Sequence, residues 1–285
     1  NLIEDVQIPK GVTLRANPGV KIEGKNKKIK VEGGLDFAGS KNSKIIIKNT
    51  YIQPAGDPDN PTYTMNLSHL NVSHGSITFS SRDRMLIKDF KLNNSTLNRT
   101  NIIGSNLMGS VSIANNTIIS SEINCYECGL DSRSWNTAES GEFSVSNNIL
   151  KQNSRVRFTN LKLKKIDINN NNFENSAGVS VDYVHWSLGY KYAGVKILPV
   201  VGEIKNNTFT NDSIGVNVKQ GNYTITNNNF IESPGVKYSG GTGKGNAYDE
   251  NFYFKINNNY FIKQKNYAIQ NEKSIDDNLE LEGNT

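Results

Sequence analysis

One short phrase recurs six times in this chain: an aliphatic residue, a spacer, two asparagines, a spacer and a further apolar residue. The copies begin at Ile113, Val145, Ile168, Ile204, Ile225 and Ile256, at spacings of 32, 23, 36, 21 and 31 residues. The short spacings, 21 and 23, define a bare unit, and the longer ones are that unit carrying an insertion. A unit of this size cannot bury its apolar face alone, so it must stack on its neighbours.

The phrases cluster Ile, Val, Phe and Thr between Asn, Gly and Ser, which are strand formers bounded by turn formers. No apolar pattern at helical spacing lasts a dozen residues. Short strands with Asn-rich turns in a repeat of this length predict coils of a parallel β-helix. Asn tolerates left-handed backbone and bonds its own neighbours, so it suits the corner between two strands. One Asn of each pair is expected to point inward and bond its equivalents above and below, as in an asparagine ladder. The chain holds 43 Asn in 285 residues, which fits one such corner on every coil. A disordered Asn-rich tract is the alternative, but here the apolar residues keep register with the Asn. Looser copies occur at Ile47-Lys48-Asn49-Thr50-Tyr51-Ile52 and Leu92-Asn93-Asn94-Ser95-Thr96-Leu97. Leu92, Leu97, Ile102 and Leu107 recur every five residues, as a squarer, pentapeptide-like coil would require.

The opening stretch carries a resemblance. It reads Val6-Gln7-Ile8-Pro9-Lys10-Gly11-Val12-Thr13-Leu14, Asn17-Pro18-Gly19-Val20-Lys21-Ile22, Ile29-Lys30-Val31-Glu32-Gly33-Gly34-Leu35, Gly39 and Ile45-Ile46-Ile47. This resembles the first coils of bacterial cell-surface members of the right-handed parallel β-helix proteins, a group that includes pectin-lyase-like enzymes and phage tailspikes. The resemblance implies an all-β, single-stranded right-handed parallel β-helix and export to the cell surface or medium of a bacterium. It implies no activity, because the fold hosts lyases, hydrolases, epimerases and non-catalytic binders. The expected organisation is one domain over residues 1–285, with capping coils at 1–50, regular Asn-repeat coils at 90–262 and a C-terminal cap at 263–285.

Composition agrees with a thin solenoid of large surface: 35% hydrophobic residues and a mean hydropathy of −0.54. The net charge is +5, with Lys21, Lys25, Lys27, Lys28 and Lys30 concentrated near the start. Such a run serves as a solvated edge that blocks sheet pairing, or as a patch for an anionic polysaccharide or cell surface. Nucleic acid is not an expected partner, since no motif accompanies the charge. Asp276, Asp277, Glu280 and Glu282 read as part of a polar cap. No signal peptide or spanning segment is present, and the chain starts at Asn1 without Met, as a mature or excised fragment does. Cys125 and Cys128 are the only cysteines, and no His lies near them, so zinc is not expected. They read as a disulfide pinning a loop, with free thiols as the alternative.

Three units carry insertions, beginning near Asn124, Asp182 and Tyr238, at similar offsets after the Asn pair. Equal offsets mean one corner of the coil, so the insertions are expected on one side, as a wall beside the neighbouring sheet. The first holds Asp131, Arg133, Trp135 and Glu139; the second holds Asp182, Tyr183, His185, Trp186, Tyr190 and Tyr192. The third holds Tyr238, Tyr248 and Asp249, around a Gly240-Gly241-Thr242-Gly243-Lys244-Gly245 run that lacks the spacing and context of a phosphate loop. Aromatic rings beside charged and amide groups suit sugars: the ring covers the C–H face, and the polar groups bond the hydroxyls. The alternative is that the aromatics cover the core where loops fold back.

Trp135, Arg133, Tyr183, Trp186, Tyr190, Tyr192, Tyr238, Tyr248 and Asp249 are therefore the candidate ligand-binding residues. Catalytic candidates are Asp131, Asp182, His185, Arg155 and Arg157, the two arginines sharing one strand face by the period of two. A lyase of this fold needs a base with either calcium or neutralising cations, and a hydrolase needs paired carboxylates. No calcium repeat and no sequence of the polygalacturonases, pectate lyases or epimerases is present beyond a faint echo at Asp182-Tyr183-Val184-His185. The first expectation is a non-catalytic surface or secreted β-helix that binds a polysaccharide or cell-surface glycan, with no cofactor and no metal. A polysaccharide lyase, hydrolase or epimerase is the second, with calcium only in that case, and a tailspike-like or structural stalk the third.

Overall fold

A computed structural model describes residues 1–55, 64–79, 89–105, 109–126, 128, 141–159, 163–182, 200–219, 221–239, 253–272 and 279–285. These contain 28 strands and no helix. One 11-stranded sheet runs through Thr13–Ala16, Gly34–Ala38, Thr64–Ser68, Asp89–Asn93, Ser110–Ala114, Glu142–Ser146, Lys165–Asn169, Val201–Lys205, Asn222–Thr226, Phe254–Asn257 and Leu279–Glu282. Neighbours in this sheet are parallel and one coil apart, as where Ser110–Ala114 pairs with Glu142–Ser146. The remaining 17 strands form a second sheet, which bends. Thr96–Ser105 crosses the bend as one strand, whereas the next coil breaks there into Thr117–Ile119 and Glu122–Tyr126, both paired to it. Each coil thus has three faces. Face one is the 11-stranded sheet. Face two carries Thr117–Ile119, Ile149–Lys151, Asn172–Glu174, Thr208–Thr210, Asn229–Ile231 and Tyr260–Ile262. Face three carries Glu122–Tyr126, Arg155–Thr159, Val179–Asp182, Val216–Lys219, Val236–Ser239 and Ile269–Asn271. The chain is a parallel β-helix.

The corner between faces one and two explains the double Asn. The first Asn of each pair is left-handed: Asn115, Asn147, Asn170, Asn206, Asn227 and Asn258 have φ between 55° and 58°. That conformation turns the chain sharply, and Asn is the side-chain-bearing residue that adopts it at least cost. The second Asn points inward. Asn116, Asn148, Asn171, Asn207, Asn228 and Asn259 are at most 2% exposed. Asn148 shows the pattern: its Oδ1 accepts from Asn116 Nδ2 at 3.0 Å and from Asn116 N at 2.9 Å. Its Nδ2 donates to Asn171 Oδ1 at 3.0 Å and to the Ile113 carbonyl at 2.9 Å. Every donor and acceptor of the buried amide is used, which is what makes burying it tolerable. The ladder runs on to Asn284, whose Oδ1 accepts from Asn259 Nδ2 at 3.2 Å. The stretch 263–285, expected to be a cap, continues the coil in its described strands: Ile269–Asn271 pairs with Val236–Ser239, and Leu279–Glu282 pairs with Phe254–Asn257.

A second corner, between faces two and three, was not read from sequence. Its left-handed residues are chemically mixed, among them Asn49, His74, Arg99, Ser120, Asn175, Asn211, Glu232 and Lys263. The residue that follows points inward and is usually Ser or Thr. The five-residue spacing of Leu92, Leu97 and Ile102 comes from these corners: all three side chains are fully buried, one on each successive face. Three faces per coil replace the squarer, pentapeptide-like coil expected from the same residues, and Leu107 lies outside the described residues. Aromatic rings stack through the core coil on coil. Phe173, Phe209, Phe230 and Phe261 lie 4.6, 4.8 and 5.1 Å apart, with planes within 10° of parallel.

The third turn, from face three back to face one, carries the insertions. Segments 56–63, 80–88, 106–108, 129–140, 160–162, 183–199, 240–252 and 273–278 all connect the end of a strand on that side to a face-one strand. The repeat thus absorbs its variable length at one corner and keeps both other corners in register.

Candidate functional site

Face three borders the insertions, and its outward side chains alternate with the buried ones by the period of two. Parallel pairing sets them in rows along the helix axis. One row is Asn124, Arg157, Ser180, Asn217, Lys237 and Gln270. The adjacent row, nearer the insertions, is Tyr126, Thr159, Asp182, Lys219 and Ser239. Successive members stand one strand spacing apart, about 4.8 Å. Arg155, on the far side, is opposite Glu122.

Most charges on this face are compensated. Arg155 Nε lies 2.8 Å from Glu122 Oε1, and its Nη2 donates to Oε2 at 3.0 Å. Lys219 Nζ lies 3.2 Å from Asp182 Oδ1, while the Ser180 hydroxyl donates to Asp182 Oδ2 at 3.2 Å. Lys237 pairs with Glu272. Arg157 is the exception: half-buried, it makes no ion pair among the described residues. Beside it, Asn124 Oδ1 has no hydrogen-bond partner among the described residues, and neither does Asn217 Oδ1, three coils on from Asn124. Tyr126 is 42% exposed at the margin toward the first insertion.

The candidates Arg155, Arg157 and Asp182 all stand on this one face. They have different surroundings: Arg155 and Asp182 are tied up in pairs, and Arg157 is not. Tyr238, a ligand-binding candidate by sequence, does not stand on this surface. It falls on an inward position of Val236–Ser239, is 4% exposed and packs 5.2 Å from the Phe254 ring, so it is a core residue rather than a ligand contact. The period of two places it there, in line with Val218, Val181, Phe158 and Cys125. Asp131, Arg133, Trp135, Tyr183, His185, Trp186, Tyr190, Tyr192, Tyr248 and Asp249 lie outside the described residues. Asn124, Ser180, Asn217 and Lys219 were not singled out from sequence. Their one signal is the outward phase of the strands they sit on.

Cys125 and Cys128 form a disulfide, both fully buried, where the first insertion leaves face three. Cys125 continues the inward row of Phe158, so the bridge is anchored in the core. Among the described residues no group of three or more His, Cys, Asp or Glu side chains is arranged to hold a metal ion. The two carboxylates of face three, Glu122 and Asp182, are each already engaged by a cation. The face offers amide, hydroxyl and guanidinium groups in register, which is a hydrogen-bonding surface for an extended polar ligand.

No protein-family model and no curated protein sequence matches this chain. Among solved structures, a mannuronic acid specific polysaccharide family 6 lyase from human gut microbiota superposes with a TM-score of 0.23 at 11% identity, covering 94% of this chain and 87% of that one. A superposition at that level transfers no residue roles to this chain. The architecture is established by its own ladders: an all-β parallel helix of stacked coils whose insertions all leave from one corner.

Proposed function

We propose that this chain is a secreted or cell-surface β-helix that binds an acidic polysaccharide along face three, the glycan lying parallel to the helix axis. The observation that carries the reading is Arg157, a guanidinium without an ion pair among the described residues, within an in-register row of amide and hydroxyl side chains. A guanidinium presents a planar fork of donors suited to a carboxylate or sulfate. The rows repeat once per coil, a rise comparable to that of one sugar in an extended chain. Trp135 and Trp186 belong to segments that leave this face at Cys128 and Asp182, and their rings would supply stacking for sugar C–H faces. The buried disulfide agrees with an oxidising location.

The test is a panel of uronate-bearing, sulfated and neutral polysaccharides, followed for binding and for products by mass. Binding of acidic members without product is the expected result. Arg157→Ala should weaken it roughly tenfold or more, since a charge-assisted hydrogen bond contributes about 1.5–3 kcal/mol. Shortened or unsaturated products would replace this reading by a polysaccharide lyase or hydrolase. Absence of both binding and products would leave a structural stalk.

A further inference from the structure

The inner side of the second corner is a column of small hydroxyl residues. Thr50, Thr100, Ser121, Ser154, Ser176 and Ser233 are all at most 4% exposed. Ser121, Ser154 and Ser233 each both accept and donate. Thr100 N donates to Ser121 Oγ at 2.9 Å, and Ser121 N donates to Ser154 Oγ at 3.2 Å. The hydroxyls in turn donate to main-chain carbonyls: Thr50 to Lys48 at 2.7 Å, Ser121 to Ile119 at 2.7 Å, Ser154 to Lys151 at 2.6 Å and Ser233 to Ile231 at 3.0 Å.

Asp212 interrupts this column, at 1% exposure. It fills the accepting half of the pattern: Oδ1 receives Ser176 N at 2.6 Å, while Asp212 N donates to Ser233 Oγ at 2.9 Å. The donating half is empty. Asp212 Oδ2 is shut off from solvent and has no hydrogen-bond partner among the described residues. An ionised carboxylate has no proton to give and leaves a charged oxygen without a donor, which is costly to bury. The protonated acid removes that buried charge and, like a Ser hydroxyl, carries a proton to give.

We infer that Asp212 is held as the neutral acid in the folded chain, and that its ionisation on raising the pH loosens the corner between Thr208–Thr210 and Val216–Lys219. Burial pushes this carboxyl up to about 7, with the bonds from Ser176 opposing the rise. Lys265 draws it down and Glu174 pushes it up. Both are otherwise engaged, Glu174 with Lys151 at 2.8 Å and Lys265 with Asn211. Glu232, at the same corner of the next coil, is exposed and lies 3.5 Å from Lys263. Thr208–Thr210 carries no ionisable side chain, and the one on Val216–Lys219, Lys219, is paired with Asp182. The loosened corner leads directly into Asn217 and Lys219 of face three, so pH acts on that face whatever ligand it takes.

The sign follows from the folded value lying above the unfolded one. The native state keeps a proton that the unfolded chain releases, so stability declines as pH rises from 3.8 to about 7 and levels off above that. The test is thermal denaturation of the full chain beside Asp212→Asn and Asp212→Ser, from about pH 4 to about pH 8. Other titrations cancel in the difference. The variants should melt at or below the wild type at the acid end and above it at the alkaline end. A difference that stays constant with pH overturns the inference. Carbon-13 NMR of the Asp212 carboxyl in the unaltered chain reads the same point even if neither variant folds. A midpoint near 7 supports it, and one near the ordinary value of 3.8 overturns it.

Discussion

The two asparagines of each pair carry unequal loads. Asn147 supplies a left-handed corner and leaves its side chain near solvent, while the Asn148 amide satisfies buried groups above, below and beside it. Asn147→Ala should cost about 1–2 kcal/mol, the penalty of a left-handed residue with a Cβ, and Asn147→Gly should cost little. Asn148→Ala removes one amide but strands several buried groups, each worth about 1–3 kcal/mol, so its cost should exceed that of Asn147→Ala severalfold. Urea denaturation of the three variants checks the order, and equal losses at both positions would contradict the division of roles. Arg157 poses the corresponding question on the outer surface. Arg157→Lys keeps the charge but loses the fork, so it should recover only part of the binding lost in Arg157→Ala.

At the scale of single strands and turns, two local ties are open to direct measurement. The Cys125–Cys128 bridge closes a very short loop, so its removal in Cys125→Ser/Cys128→Ser should cost about 2 kcal/mol. Proteolysis should then begin in the first insertion, whose start the bridge fastens to the core. The final strand, Leu279–Glu282, is held by Glu280, which accepts from Asn257 and Tyr253 and pairs with Lys255. Lys255 chiefly, then Tyr253 and Asn257, hold the Glu280 carboxyl down at about 2. A depressed carboxylate stabilises the fold above its unfolded value and loses that contribution as pH falls through its folded one. Hydrogen exchange in Leu279–Glu282 should therefore quicken between pH 4.5 and about 2, and Glu280→Gln should remove that dependence.

The whole molecule is a stack in which the strands of each coil pair with those of the coils on either side of it. Its stability is then a sum of coil terms and nearest-neighbour interfaces, and unfolding need not be all-or-none. Exchange protection should be greatest in the coils spanning residues 142–231, where Asn ladder, hydroxyl column and stacked Phe rings coincide, and lowest at both ends. Uniform protection along the stack would contradict this. With a net charge of +5 and the half-buried Arg157 on face three, binding of an acidic glycan should weaken as salt rises.

The stacked architecture was legible in the order of residues because a solenoid asks the same question at every coil. On every regular coil the corner between faces one and two must supply a left-handed residue and a buried amide, so Asn-Asn returns in step with the aliphatic positions and can be counted without a structure. The second corner stayed hidden because Arg, Ser, Glu, Lys and Asn all turn it, which leaves no single residue type to count. Tyr238 was misplaced for a related reason: at the mouth of an insertion, an inward strand position and an outward loop position look alike until the register is known. Face three lay further out of reach. Asn124, Arg157, Ser180 and Asn217 become neighbours only when insertions of different length are all absorbed at the third turn and the strands on either side are brought back into phase. The repeating part of the chain determines the fold by itself, whereas the interrupting part meets its neighbours only through the register that the folded stack imposes.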